Sequence, residues 1–171
     1  MQPSMVLTPV DFSENAEKIA QFAACMAGRF QVPLRFLFVV QSLEDYTGFF
    51  TPPLQMPNME QELLRGAQDK MESFLAEHSA LFSENGVTQV DGQVLSGDVG
   101  EQILRHAEEH PCCLIVMGTH GYKGLERVMF GSVADHVVKN ATCPVMTINP
   151  YRSCSPCASE GGESTASCTK E

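Results

Sequence analysis

Positive charge is scarce in this chain: 11 Lys and Arg stand against 21 Asp and Glu, a formal net charge of −10 over 171 residues. Nucleic acids and anionic membrane surfaces are gripped by clustered Lys and Arg, so neither is expected as a partner. Also missing is any apolar run approaching the roughly 18–20 residues needed to cross a bilayer. The opening Met1-Gln2-Pro3-Ser4 has neither the basic flank nor the apolar stretch of a secretory leader. The expectation is therefore a cytoplasmic protein. Nor is there a secreted disulfide framework. Seven cysteines, an odd number, are spread along the chain, with Cys25, Cys112, Cys113 and Cys143 in apolar contexts and Cys154, Cys157 and Cys168 near the end. Reduced thiols are expected.

What is present suits one globular domain with a sizeable core: 43% hydrophobic and 19% charged residues. Short apolar runs alternate with helical periodicity. Residues 5–10 read as a first strand, ending at Asp11-Phe12-Ser13, where Ser13 is a candidate N-cap. Ala16, Ile19, Ala20, Ala23 and Ala27 recur at helical spacing, and residues 34–40 have the β-branched and aromatic content of a buried strand. A long connection follows at 41–58, carrying Pro52, Pro53, Pro57, Tyr46, Phe49 and Phe50. It reads as a variable surface loop, with a lid or a dimer contact as the lesser reading.

From Met59 to about Asn85 the apolar positions Leu63, Leu64, Ala67, Met71, Phe74, Leu75, Leu81 and Phe82 predict one long amphipathic helix, stopped by Asn85-Gly86. Residues 88–95 predict a third strand, and Val99, Ile103, Leu104 and Ala107 a short helix before Pro111. A strand at 112–117, a helix at 133–140 and a last strand at 145–148 complete the series. Helices between successive short strands imply a parallel sheet covered on both faces. Such sheets bind ligands beyond the carboxyl ends of the strands, where strand order reverses.

That rule selects the ends of three strands: Pro9, Val10 and Asp11; Val39 and Val40; Met117 and Gly118. Gly118-Thr119-His120-Gly121 is followed, after nine intervening residues, by Gly131-Ser132 at the start of the 133–140 helix. Glycines after a strand let backbone approach a ligand closely, and a helix start presents N–H groups to an anion. Asp11 can accept from a sugar or base, and Val39 offers an apolar wall to a purine. Lys123 and Arg127, against Glu126, supply local compensation in an acidic chain.

The segments Met5–Ser13, Met117–Gly121 and Phe130–Val133, with the closing Cys143–Ile148, resemble the universal stress protein (UspA) superfamily over roughly residues 4–149. The glycine spacing is similar to that family's ATP-binding signature. The resemblance implies a doubly wound, open, five-stranded parallel sheet of order 3-2-1-4-5, Rossmann-like, with helices on both faces. It implies ATP as ligand, with Mg2+ as its companion cation, at Pro9, Val10, Asp11, Val39, Met117, Gly118, Thr119, His120, Gly121, Gly131, Ser132 and Val133. It implies a cytoplasmic stress-response homodimer joined through the last strand, Val145–Ile148. Two positions depart from the family pattern: Val10 stands where Thr is common, and Asp98 follows Gly97 where Pro is frequent.

No P-loop lysine accompanies the glycines, so hydrolysis is expected to be slow at most and nucleotide sensing to be the role. The alternative is a dimerisation or signalling module of the same fold that binds no nucleotide. His106-Ala-Glu-Glu-His110 formally matches a metallopeptidase pattern, but the helix ends at Pro111 and a third ligand is lacking. Structural, partly exposed histidines are expected there. Residues 1–149 are assigned to the nucleotide-binding domain and 150–171, with its Cys154-Ser-Pro-Cys157, to a disordered Ser/Gly/Cys-containing tail.

Overall fold

In a computed structural model, the chain is described over residues 4–41, 59–119 and 131–152. Its elements run β1 (Met5–Pro9), α1 (Ala16–Phe30), β2 (Leu34–Val40), α2 (Met59–Glu77), α3 (Ser79–Glu84), β3 (Val90–Ser96), α4 (Val99–Glu109), β4 (Cys112–Gly118), α5 (Ser132–Asn140) and β5 (Val145–Ile148). The five strands form one sheet of order β3-β2-β1-β4-β5, and every pairing is parallel. Strand order reverses beside β1, whose neighbours are β2 and β4. The expected topology is therefore the observed one.

Alternation along the strands divides the core between two faces. Val6, Leu34, Phe36, Leu114 and Val116 pack against α1, α2 and α3 on one side. Leu7, Leu37, Val39, Ile115 and Met117 pack with α4 and α5 residues on the other. Five of the buried α1 positions are Ala16, Ala20, Ala23, Ala24 and Ala27. Their small side chains let the helix lie close over β1, where Met5 to Thr8 are all buried. Phe36 anchors the first face, with its ring centroid 5.4 Å from that of Phe74 and 5.5 Å from that of Phe82. Burying such a ring contributes roughly 2–3 kcal/mol.

The single helix expected over 59–85 is two. At His78 the backbone leaves helical geometry, with φ −98° and ψ 8°. The Ser79 hydroxyl donates to Ala76 O at 2.8 Å, a local bond that competes with the helical ladder. His78 Nδ1 lies 2.8 Å from Phe74 O, and its ring stands between Phe74 and Phe82, at centroid distances of 4.3 and 6.5 Å. Ser13 does not cap α1. The N-cap is Asn15, and Ser13 instead donates its N–H to Asp11 Oδ1 at 3.0 Å. The third strand starts and ends slightly later than expected, at Val90 and Ser96.

Cys112, Cys113 and Cys143 are free, whereas Cys25 is disulfide-bonded. The expectation of reduced thiols is corrected at that position. The 41–58 connection and the tail cysteines lie outside the described residues. After β5 the chain turns over α1, where Lys18 Nζ donates to Pro150 O at 3.0 Å and also to Arg152 O.

Candidate functional site

The carboxyl end of β1 is held against β2 by the bond from Val10 N–H to Leu37 O, 2.9 Å. Asp11 follows at once, half-buried, its Oδ1 occupied by Ser13 N–H. A carboxylate has further acceptor sites beyond that one bond. Phe12 then adopts φ 54°, unusual for a bulky side chain. Its ring packs on Phe38 at 4.6 Å and on Phe74 at 5.8 Å, with Lys70 Nζ 5.8 Å from its centroid. Contacts from two distant elements thus hold an unfavourable backbone angle next to Asp11.

On the other side of the switch point, β4 ends at Gly118, opposite Ile148. Thr119 N–H donates to Ile148 O at 2.8 Å, and Gly131 N–H donates to Thr119 O at 2.7 Å. That second bond brings the start of α5 onto the end of β4 across the glycine segment. Gly131 is the N-cap of α5, at φ −68° and ψ 155°. Any residue adopts those angles, so conformation does not explain why the side chain is missing. Ser132 is exposed and Val133 half-buried in the first helical turn, where N–H groups lack intrahelical acceptors and the dipole is positive. Met117 and Thr119 are buried, and Val39 is 8% exposed beneath the α4 side of the sheet.

Strand ends therefore bring Pro9, Val10 and Asp11 to one side of the switch point and Met117, Gly118, Thr119, Gly131, Ser132 and Val133 to the other. His120 and Gly121 lie outside the described residues, as do Lys123, Glu126 and Arg127. One contributor was not foreseen. Gly97 N–H donates to Val40 O at 3.0 Å, and its φ of +134° suits glycine alone. It folds the β3–α4 turn against the end of β2, and Asp98 then caps α4 by accepting from Glu101 N–H at 2.9 Å. A glycine directly before an Asp N-cap was the available signal.

The histidines of α4 sit elsewhere. His106 is buried, at 2% exposure, rather than partly exposed. Its Nε2 faces Arg35 NH1 at 3.4 Å, and its ring stacks on His110 at 4.2 Å. His110 Nδ1 is 3.1 Å from His106 O. Stacked rings whose nitrogens are engaged by a guanidinium and a carbonyl do not converge on a metal as the motif would require. Arg35 itself pairs with Asp91, at 2.7 Å from Nε and 2.6 Å from NH2. A cavity of about 670 Å³, lined by Arg35, Asp91 and His110, opens here at the amino ends of the strands.

The strand order and the parallel pairing define a doubly wound α/β protein, a class that holds ligands at its strand ends. Residues 5–149 match the universal stress protein family. The chain belongs to that family. It is 32% identical over 144 residues to the universal stress protein MJ0531 of Methanocaldococcus jannaschii, covering 84% of this chain and 80% of the relative. Among solved structures it is similar to universal stress protein UspA from Lactobacillus plantarum, with a TM-score of 0.72 and 26% identity, covering 87% of this chain and 99% of that one. It also shares the fold of the Archaeoglobus fulgidus universal stress protein solved in complex with dAMP, at a TM-score of 0.61 and 22% identity, over 87% of this chain and 100% of that one.

Proposed function

We propose that this protein is an ATP-binding universal stress protein that senses or stores nucleotide, with hydrolysis slow at most. The observation that carries the reading is the joint between β4 and α5. A conformationally unnecessary glycine at 131 meets Thr119 O at 2.7 Å, at the start of a helix on the switch-point side of the sheet. A missing side chain at a helix N-terminus suits a phosphate lying against backbone N–H groups. Pro9, Val10, Asp11 and Val39 would hold the base and sugar, and Met117, Gly118, Thr119, His120, Gly121, Gly131, Ser132 and Val133 the phosphates, with Mg2+ as a companion cation. The dAMP complex of a protein with the same fold supports adenine nucleotide as the ligand class. Residues 1–149 form the nucleotide-binding domain in this proposal.

The same proposal makes the protein a cytoplasmic homodimer joined through Val145–Ile148. β5 is an edge of the sheet, and an edge strand presents backbone donors and acceptors to a second chain. Among the described residues, no helix is long and apolar enough to cross a membrane. The disulfide at Cys25 pulls against a reducing compartment, and alkylation in freshly lysed cells decides the point.

Titration calorimetry with ATP, AMP and a non-adenine nucleotide tests the central reading. Adenine nucleotide is expected to bind at or below millimolar concentration. Gly131→Phe, whose backbone angles any residue tolerates, is expected to abolish binding while leaving circular dichroism unchanged. If the wild type binds neither ATP nor AMP at millimolar concentration, the proposal fails and a signalling module with the same fold remains.

A further inference from the structure

Cys112 opens β4, and Cys143 lies in the turn that leads into β5. The β4–β5 register sets Ile115 against Val145, and Ile115 N–H donates to Pro144 O at 2.9 Å. Cys143, two residues before β5, therefore comes alongside the start of β4, where Cys112 and Cys113 stand. The two neighbours on β4 face opposite ways. Cys113 packs on the α1 face, with its Sγ donating to Met5 O at 3.3 Å. Cys112 and Cys143 both pack on the α4–α5 face. The Cys112 thiol donates to Leu114 O at 3.4 Å, and the Cys143 sulfur lies near enough to disfavour its ionisation. Both residues are free and half-buried. Two free thiols packed on the same face where β4 and the lead-in to β5 run side by side are the pair best placed among the described cysteines to close a disulfide.

We propose that Cys112 and Cys143 are an oxidisable dithiol that closes to an intramolecular disulfide when the protein meets a peroxide. The Cys143 thiolate attacks hydrogen peroxide. The O–O bond breaks, an S–O bond forms, and the departing hydroxide takes up a proton to leave as water. The Cys112 sulfur then attacks the Cys143 sulfur of the sulfenic acid. The S–O bond breaks, the S–S bond forms, and the proton of the Cys112 thiol leaves with hydroxide as a second water. Two thiols are oxidised and one peroxide is reduced. The order follows from surroundings: burial, then the neighbouring Cys143 sulfur, push the Cys112 thiol up to about 12, so it is protonated at neutral pH and is a poor first nucleophile. The bond would staple the start of β4 to the lead-in of the edge strand, at the end of β4 remote from Gly118.

The test uses the full chain, reduced with dithiothreitol, desalted, treated with hydrogen peroxide, alkylated with iodoacetamide and mapped by non-reducing tryptic digestion. Cleavage after Arg105, Lys123 and Lys139 puts Cys112 and Cys143 on different peptides. The expected product is a link between those peptides, reversed by dithiothreitol, retained in Cys113→Ser and lost in both Cys112→Ser and Cys143→Ser. A link that persists in Cys112→Ser but not in Cys113→Ser would overturn the assignment. So would a Cys143–Cys143 bond between two chains, a bond from Cys143 to Cys25, or Cys143 advancing to sulfinic acid while Cys112 stays alkylatable.

Discussion

Acidification is expected to destabilise this protein through one buried imidazole. His106 is 2% exposed, and Arg35 NH1 approaches its Nε2 at 3.4 Å. A guanidinium only donates, so Nε2 must accept, and the ring is neutral with its proton on Nδ1. Burial first, then the His110 and Arg35 charges, lower its pKa to about 4, with Glu109 and Asp91 pulling weakly the other way. In the unfolded chain the ring titrates near its ordinary value of about 6.5. Between those two values the unfolded state binds a proton that the folded state refuses. Stability therefore falls as pH drops from about 6.5 towards 4, at up to about 1.4 kcal/mol per pH unit and about 3 kcal/mol in all. Above pH 7 the group contributes no slope. His106→Gln keeps an acceptor for Arg35 and cannot titrate, so subtracting its stability from the wild type's isolates this group from the carboxylates. Urea unfolding at intervals from pH 4.5 to 7.5 measures both. The difference is expected to be flat above pH 7 and to move in the variant's favour below 6.5. Parallel curves over the whole range would refute the reasoning.

Thr8 is wholly buried, and its Oγ1 has no hydrogen-bond partner among the described residues. Thr8→Val removes the stranded hydroxyl at nearly constant shape, and the urea midpoint is expected to rise by the equivalent of about 1 kcal/mol; a fall would mean the hydroxyl is satisfied. At Gly28 a Cβ would stand 1.9 Å from Asn85 O, so Gly28→Ala must push α1 from the end of α3. Thermal unfolding is expected to show a net loss of about 2 kcal/mol despite the better helix propensity. Asp98→Ala removes the bond from Glu101 N–H to Asp98 Oδ1, and denaturant titration should register a loss of about 1 kcal/mol.

The elements that were legible in the chain are those whose character is local. An apolar run such as Cys112–Gly118, or alanines at helical spacing in α1, states its own burial, and the alternation of the two types dictated the parallel sheet. What escaped was set by residues distant in sequence or left no mark on the apolar spacing. The break at His78, where φ is −98° and ψ 8°, falls inside a stretch whose periodicity is unbroken. His106 reads as partly exposed from the sequence, because its own helix gives no sign of the neighbour that faces it in the fold, Arg35, 71 residues away.

The site divides along the same line. Its glycines could be read, but the joint they make could not, because Gly131 meets Thr119 only once α5 has packed. Phe12 shows the other half of this dependence. A bulky residue at φ 54° costs on the order of 1–3 kcal/mol, and the local bond from Ser13 N–H to Asp11 Oδ1, worth about 1 kcal/mol, does not cover it alone. The compensation comes from Phe38 on β2 and Phe74 on α2. Those rings belong to the core, yet what they fix is the turn that carries Asp11. Weakening the core under Phe12 should therefore loosen Asp11 before it unfolds the sheet. The sequence could name Asp11 at the end of β1, but the turn that holds it there is a property of packing between distant elements.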